Sequence, residues 1–211
     1  MAFSNFKEKY VLDVEFEFPR VNQFYAFNSA TQKSEPCDAT RPSAEKSVGF
    51  RMQKQQAVDL WKEAKSHFDN CKAHGADIGE FQTVHSYKEN EDGTISFRAK
   101  RKAMTNAGRL NREVQLVDGQ NKPLPEHDWA FGTGSKGSVK LSMFPTHNPS
   151  KKEWGISFGL EAIQVKEIAV ANGGPVDFPV EENSAFGEVK GFAKGDAQST
   201  LSDIINDEIP F

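Results

Sequence analysis

YVLDVEFEF, residues 10–18, is the stretch on which the fold class turns. Leu12, Val14, Phe16 and Phe18 alternate with Asp13, Glu15 and Glu17. A period of two puts the first set on a buried face and the second in water, which predicts a half-buried strand that Pro19 ends. Outward from it, the Ser-, Thr- and Pro-rich stretch from Asn28 to Pro42 predicts an exposed loop. The pattern resumes in SVGFRMQ, residues 47–53, with Val48, Phe50 and Met52 inward.

From Lys54 to His74 the period becomes helical. Ala57, Trp61, Ala64, Phe68 and Cys71 form one apolar stripe, and Gly75 stands where a helix C-terminal cap belongs. FQTVHSY (81–87), the turn ENEDG and TISFRAK (94–100) predict a hairpin with Ile95, Phe97 and Ala99 facing the core. Further strands are expected at REVQLV, GSVKLSMF and EWGISFGL. Short strands with one sizeable helix predict a mainly β protein, a small Greek-key barrel rather than alternating βαβ units.

A chain of 211 residues can bury a core without staples. The composition divides it into a domain over 1–172 and a tail over 173–211, rich in Gly, Ser, Asp and Glu and without a sustained apolar period, which is expected to be disordered. Cys37 and Cys71 make no disulfide framework, and MAFSNFKEKY has no apolar core of a signal peptide. No apolar run approaches the roughly 18 residues of a membrane span. A cytoplasmic setting is expected.

The net charge of −4 conceals an asymmetry. Phe97 to Trp154 holds eleven Lys and Arg against five acids, a net of +6, whereas from Asp177 onward eight acids face only Lys190 and Lys194, a net of −6. A basic body carries an acidic tail.

GTGSKG, residues 132–137, matches the dinucleotide fingerprint GxGxxG, but that motif needs a helix after it and here a strand pattern comes next. A flexible turn, or glycines that admit a nucleic-acid backbone beside Lys136, is the expected role. His67, Cys71 and His74 share one helix, with Cys37 or His85 as distant fourth ligands for zinc; core packing for Cys71 and surface placement for the histidines is preferred. No GxSxG, HExxH or Walker lysine is present, so neither enzyme activity, cofactor nor metal is expected.

The strongest signal is basic residues interleaved with aromatics. A groove that holds single strands without sequence preference needs cations for phosphates and rings on which bases stack. Arg98, Lys100, Arg101, Lys102, Arg109, Arg112, Lys136, Lys140, Phe144 and Trp154 are the candidate nucleic-acid-binding residues. Arg98 and Lys100 share a face of one strand; Lys136, Ser138, Lys140, Ser142 and Phe144 share a face of another, and the two faces on neighbouring strands are expected to make one groove. A tethered polyanion must compete for such a groove. In the terminal NDEIPF, Phe211 is the candidate anchor for a partner protein, with Asp203, Asp207 and Glu208 as steering charges.

The order of strand, helix, basic hairpin, GTGSKGSVKLSMF, WGISFGLEAIQV and an acidic tail ending in DEIPF resembles the phage single-stranded DNA-binding proteins of the T-odd podophage type. The resemblance implies an OB-fold, coating of DNA during replication, recombination and repair, and a tail that contacts replisome proteins such as the polymerase or helicase-primase; it also brings tail-mediated homodimers into view. Two other classes remain at this level: a small metal-dependent nuclease or DNA-processing enzyme, and a module whose basic face binds an acidic protein.

Overall fold

The computed structural model describes residues 5–125, 128 and 130–169. Among the described residues, nine strands and one helix run in the order β1 (Lys7–Asn28), β2 (Lys33–Cys37), β3 (Glu45–Met52), α1 (Lys54–Ala73), β4 (Phe81–Val84), β5 (Tyr87–Glu89), β6 (Ile95–Lys102), β7 (Gln115–Val117), β8 (Lys136–Asn148) and β9 (Glu153–Glu167). Five of them close a barrel. β1 pairs with β3, β3 with β6, β8 with β9 and β8 with β1, all antiparallel, and β6 meets β9 in parallel through Ala99↔Phe158 and Lys100↔Gly159. This is the five-stranded OB-type barrel with one sizeable helix, as the alternation and the family resemblance predict.

The core is the inner face of these strands. Val48, Phe50 and Met52 on β3, Ile95, Phe97 and Ala99 on β6, and Val139, Leu141 and Met143 on β8 are all buried. Phe50, Phe97 and Phe158 pack with ring centroids 5.7–6.2 Å apart. α1 turns Ala57, Trp61, Ala64, Phe68 and Cys71 onto β4, β8 and β9. Trp61 stands edge-on to Tyr87 at 4.9 Å and to Phe81 at 6.2 Å. Gly75, with φ of +87°, ends the helix: its N–H donates to the carbonyl of Lys72, and that of Ala76 to the carbonyl of Cys71. Salt bridges from Lys7 and Lys9 to Glu63, at 2.9 and 2.5 Å, tie the start of β1 to α1.

β1 departs most from expectation. It runs through Pro19 for 22 residues, and its alternation breaks three times, the last between Val21 and Ala26, where the ladder to β3 shifts between Arg20 and Tyr25. Asp13 and Phe18 have φ of +53° and +44°, and the ladders to β8 and β3 shift register between Val11 and Val14 and between Glu17 and Arg20. Each irregularity adds an unpaired residue, reverses the in-out parity of the residues after it and bends the strand, so β1 serves both halves of the barrel. Val11, Val14, Phe16 and Val21 therefore point inward, while Leu12 and Phe18 are 55% and 74% exposed. Pro19 is tolerated at such an irregularity because no ladder bond there needs its missing N–H.

Three further features differ from expectation. The stretch read as a loop after Asn28 contains β2, which folds back on the end of β1 to form a two-stranded arm. Of FQTVHSY only Tyr87 enters the expected hairpin: β5, which continues to Glu89, pairs with β6, whereas β4 pairs in parallel with β9. And β6 and β8 are not neighbours, because β9 lies between them. Among the described residues no helix is long and apolar enough to cross a membrane.

Candidate nucleic-acid interface

The second half of β1, β3 and β6 lie side by side, and their ladders set which outward residues share a row. Glu17, Gly49 and Arg98 form one; Arg20, Ser47 and Lys100 the next; Tyr25, Glu45 and Lys102 a third. These are the first three strands of the barrel in chain order. An open trough of about 260 Å3 runs over this face, lined by Glu17, Phe18, Arg20, Ser47, Gly49 and Arg98 and, from the β4–β5 side, by Ser86 and Lys88. Its floor is low because Gly49 has no side chain; a Cβ there would meet the Cβ and carbonyl oxygen of Glu17 at 3.0 Å.

Arg98, Lys100 and Arg51 of this face are held by carboxylates. Glu45 receives Arg98 at 3.1 Å and Lys100 at 3.3 Å, and Arg98 also donates to Ser47 Oγ at 3.0 Å. Arg51 reaches Glu15 at 2.5 Å, Asp92 at 3.2 Å and Glu17 at 3.7 Å. The hydrogen bond to Glu15, acting against burial, raises the Arg51 pKa above the ordinary guanidinium range. Arg20 lies over the Tyr25 ring at 5.7 Å. On the opposite side of β3, the buried Lys46 lies over the Phe24 ring at 5.1 Å and bridges to Glu113 at 2.7 Å.

Of the ten candidate residues, Arg98, Lys100 and Lys102 line this face, and all three are exposed. Arg101 does not. It points the other way, into the β6–β9 junction, with Nε donating to the carbonyl of Leu160 at 2.6 Å, Nη1 to Asn111 at 3.2 Å, and a salt bridge to Glu161; its side chain is 9% exposed. Arg112 stands in solvent at 3.5 Å from the same Glu161, and Arg109 sits in the exposed turn after Thr105. Lys136, Lys140 and Phe144 occupy a different part of the barrel wall. Lys136 pairs with Glu167 at 3.0 Å; Lys140 pairs with Glu8 at 2.7 Å and lies over the Tyr10 ring at 5.4 Å; Phe144 packs on Phe6 at 5.3 Å. Trp154 is part-buried at the far end of β9, against His147 at 5.1 Å and over Gly79. The single groove expected from two neighbouring strands is thus divided: β9 separates the Arg98 face from the Lys140 face.

Residues the sequence does not mark are Phe18, Arg20 and Lys88. Alternation alone puts Phe18 in the core. Arg20 and Lys88 fall outside the basic block, and only the strand pairing brings them beside Arg98.

The other motifs take structural places. His67 directs Nε2 to the carbonyl of Asn5 at 3.1 Å and lies 3.6 Å from Cys71 Sγ, while His74 Nδ1 bonds the carbonyl of Asn70 at 2.8 Å. Burial pushes the Cys71 thiol pKa up, which suits packing rather than reactivity. The tail residues Asp203, Asp207, Glu208 and Phe211 lie outside the described residues.

No family model matches this sequence, and no curated protein matches it either. Solved structures do match in shape. The single-stranded DNA-binding protein of bacteriophage Enc34 superposes with a TM-score of 0.55 over 81% of this chain and 87% of its own, at 13% identity. The same protein in complex with single-stranded DNA gives 0.54 over 79% and 89%, at 12% identity. The single-stranded DNA-binding protein gp2.5 of bacteriophage T7 gives 0.55 over 82% and 98%, at 17% identity. At these identities the likeness is one of fold: the chain has the barrel architecture of phage single-stranded DNA-binding proteins.

Proposed function

We propose that this protein binds single-stranded DNA without regard to sequence and coats it during phage DNA replication, recombination and repair, acting as a binding protein rather than an enzyme. One observation carries the reading: Arg98, Lys100 and Lys102 run along the outer face of β6 beside Arg20, above a floor of Gly49 and Ser47. OB-type barrels bind oligonucleotides on the face of their second and third strands, here β3 and β6. Cations spaced along an open face track successive phosphates, and hydroxyls accept or donate to any base edge, so affinity comes without a code. The single-stranded DNA binding of the structural neighbours supports it.

The acidic segment from Asp177 onward is the intramolecular competitor, and Phe211 with Asp203, Asp207 and Glu208 is the ligand it offers to replisome proteins once DNA displaces it. The test is a titration with labelled poly-dT and a matched duplex across a salt series, for the full chain and for a chain ending at residue 172. Single strands are expected to bind clearly tighter than duplex. With four cations on phosphates, log affinity falls with log salt at a slope of about −3, and truncation tightens binding. Equal affinity for duplex and single strand would reject the groove and favour a basic face for an acidic protein; metal-dependent cleavage of the strand would reject the non-enzymatic role.

Glu45 gives a second expectation. Its carboxylate neutralises Arg98 and Lys100 in the free protein and repels an arriving phosphate. Exposed pairs of this kind are worth about 0.2–1 kcal/mol each, so Glu45→Gln is expected to tighten poly-dT binding roughly fivefold at low salt, with the gain fading as salt rises. Weaker binding would mean that Glu45 instead holds the two cations in place for phosphate.

A further inference from the structure

Phe18 combines two unfavourable features in the wall of the trough. Its φ of +44° is a conformation that side-chain-bearing residues rarely adopt, and its ring is 74% exposed on a barrel face. The backbone around it is nevertheless braced by a turn more than a hundred residues away. The Phe18 N–H donates to Thr133 Oγ1 at 2.9 Å, the Phe16 N–H to the carbonyl of Ser135 at 2.7 Å, and the Gly134 N–H to the carbonyl of Phe16 at 2.9 Å.

The turn is itself fixed. Gly134 has φ of +93°, Ser135 Oγ donates to the carbonyl of Gly132 at 2.8 Å, and the backbone N–H groups of Gly132 and Ala169 bond the Ala169 carbonyl and Ser135 Oγ at 2.8 and 2.9 Å. A strained, exposed ring held by a built support has a use that burial does not supply. Beside it lie Arg20, Arg98 and Lys88 for an anion, around an opening of about 260 Å3 whose floor holds the buried Ser47 and Ser96. A nucleotide of a single strand meets both the ring and the cations: its base offers a π-face to Phe18, and its phosphate a partner for Arg20, Arg98 and Lys88.

We propose that Phe18 is the stacking platform for an unpaired nucleobase and that Thr133 is its positioning residue, which assigns the glycine-rich turn of residues 132–135 the task of holding that ring outward. The inference rests on the single-strand reading above and deepens it.

The experiment compares poly-dT with an abasic strand of equal length, which keeps the phosphates and lacks the bases. Full-length wild-type protein binds poly-dT more tightly. Phe18→Ala lowers poly-dT affinity about tenfold to a hundredfold, in line with loss of one base stack, and leaves both the abasic affinity and the salt slope unchanged. Phe18→Trp keeps poly-dT affinity and adds an indole emission, beyond that of the three native tryptophans, that poly-dT quenches and the abasic strand does not. Thr133→Val loses the base-dependent share of the affinity, and Thr133→Ser retains it. A Phe18→Ala chain that binds poly-dT as wild type does, or that loses both strands equally, overturns the assignment. Wild-type protein that binds both strands equally also overturns it while leaving the single-strand reading intact; wild-type protein that binds neither overturns both.

Discussion

Arg101→Ala is expected to weaken the fold far more than it weakens nucleic-acid binding. The guanidinium is nearly buried, bonded to the Leu160 carbonyl and Asn111 and paired with Glu161, whose side chain is 14% exposed. Removing one partner of a buried pair leaves the other uncompensated, at a typical cost of about 3–5 kcal/mol. The midpoint of urea unfolding should drop accordingly with little change in its slope. Lys102→Ala, one residue on and fully outward, should leave that midpoint where it is. The pH dependence provides an internal check. Burial pushes the Glu161 carboxyl up, but hydrogen bonds from Ser142 and Arg101 and the charges of Arg101 and Arg112 outweigh it, so its pKa lies below the usual carboxylate value. A depressed acid contributes stability that is present above its unfolded pKa and is lost as pH falls through its folded pKa. Wild-type protein should therefore lose stability on the acid side, and the Arg101→Ala chain should show a shallower acid limb, since Arg101 supplies part of that depression.

The second large effect belongs to the face itself. Arg98→Ala with Lys100→Ala removes two of the proposed phosphate partners and leaves Glu45 to repel the strand. Hydrogen bonds to charged groups contribute about 1.5–3 kcal/mol each, so poly-dT affinity should fall on the order of a hundredfold at low salt, with the salt slope shallower by about 1.4. Adding Glu45→Gln should recover part of the loss, because the three side chains form one network and their effects are not additive. The unfolding midpoint should stay close to wild type, since all three are at the surface. A double variant that binds as wild type does would move the interface to the Lys140 face.

These two cases also show where sequence reading succeeds. Val48, Phe50 and Met52, the α1 stripe, Gly75, and Ile95, Phe97 and Ala99 are all legible, because each pattern lies within one unbroken element whose period fixes its buried side. Arg101 shares the inward parity of Ile95, Phe97 and Ala99, but its partner is not legible, because Glu161 lies sixty residues downstream across a parallel junction that no local pattern announces. Phe18 escapes for another reason: alternation assumes unbroken pleating, and the irregularities at Asp13 and Phe18 each reset the parity. Nothing in the letters YVLDVEFEF marks them. The brace for Phe18 is distant too, since it lies in the glycine-rich turn that reads, in the sequence, as a flexible turn or a close approach for a nucleic-acid backbone.

The length of β1 carries a mechanical consequence. At about 3.3 Å per residue, an extended strand from Lys7 to Asn28 is one covalent tie from the Glu63 clamp on α1, past β8, across β3 and out to the tip of the arm. Ladder hydrogen bonds lie perpendicular to the strands they join. Tension on the arm directed along β1 is thus borne in shear by many rungs at once, to β3 and then to β8, instead of peeling them one at a time.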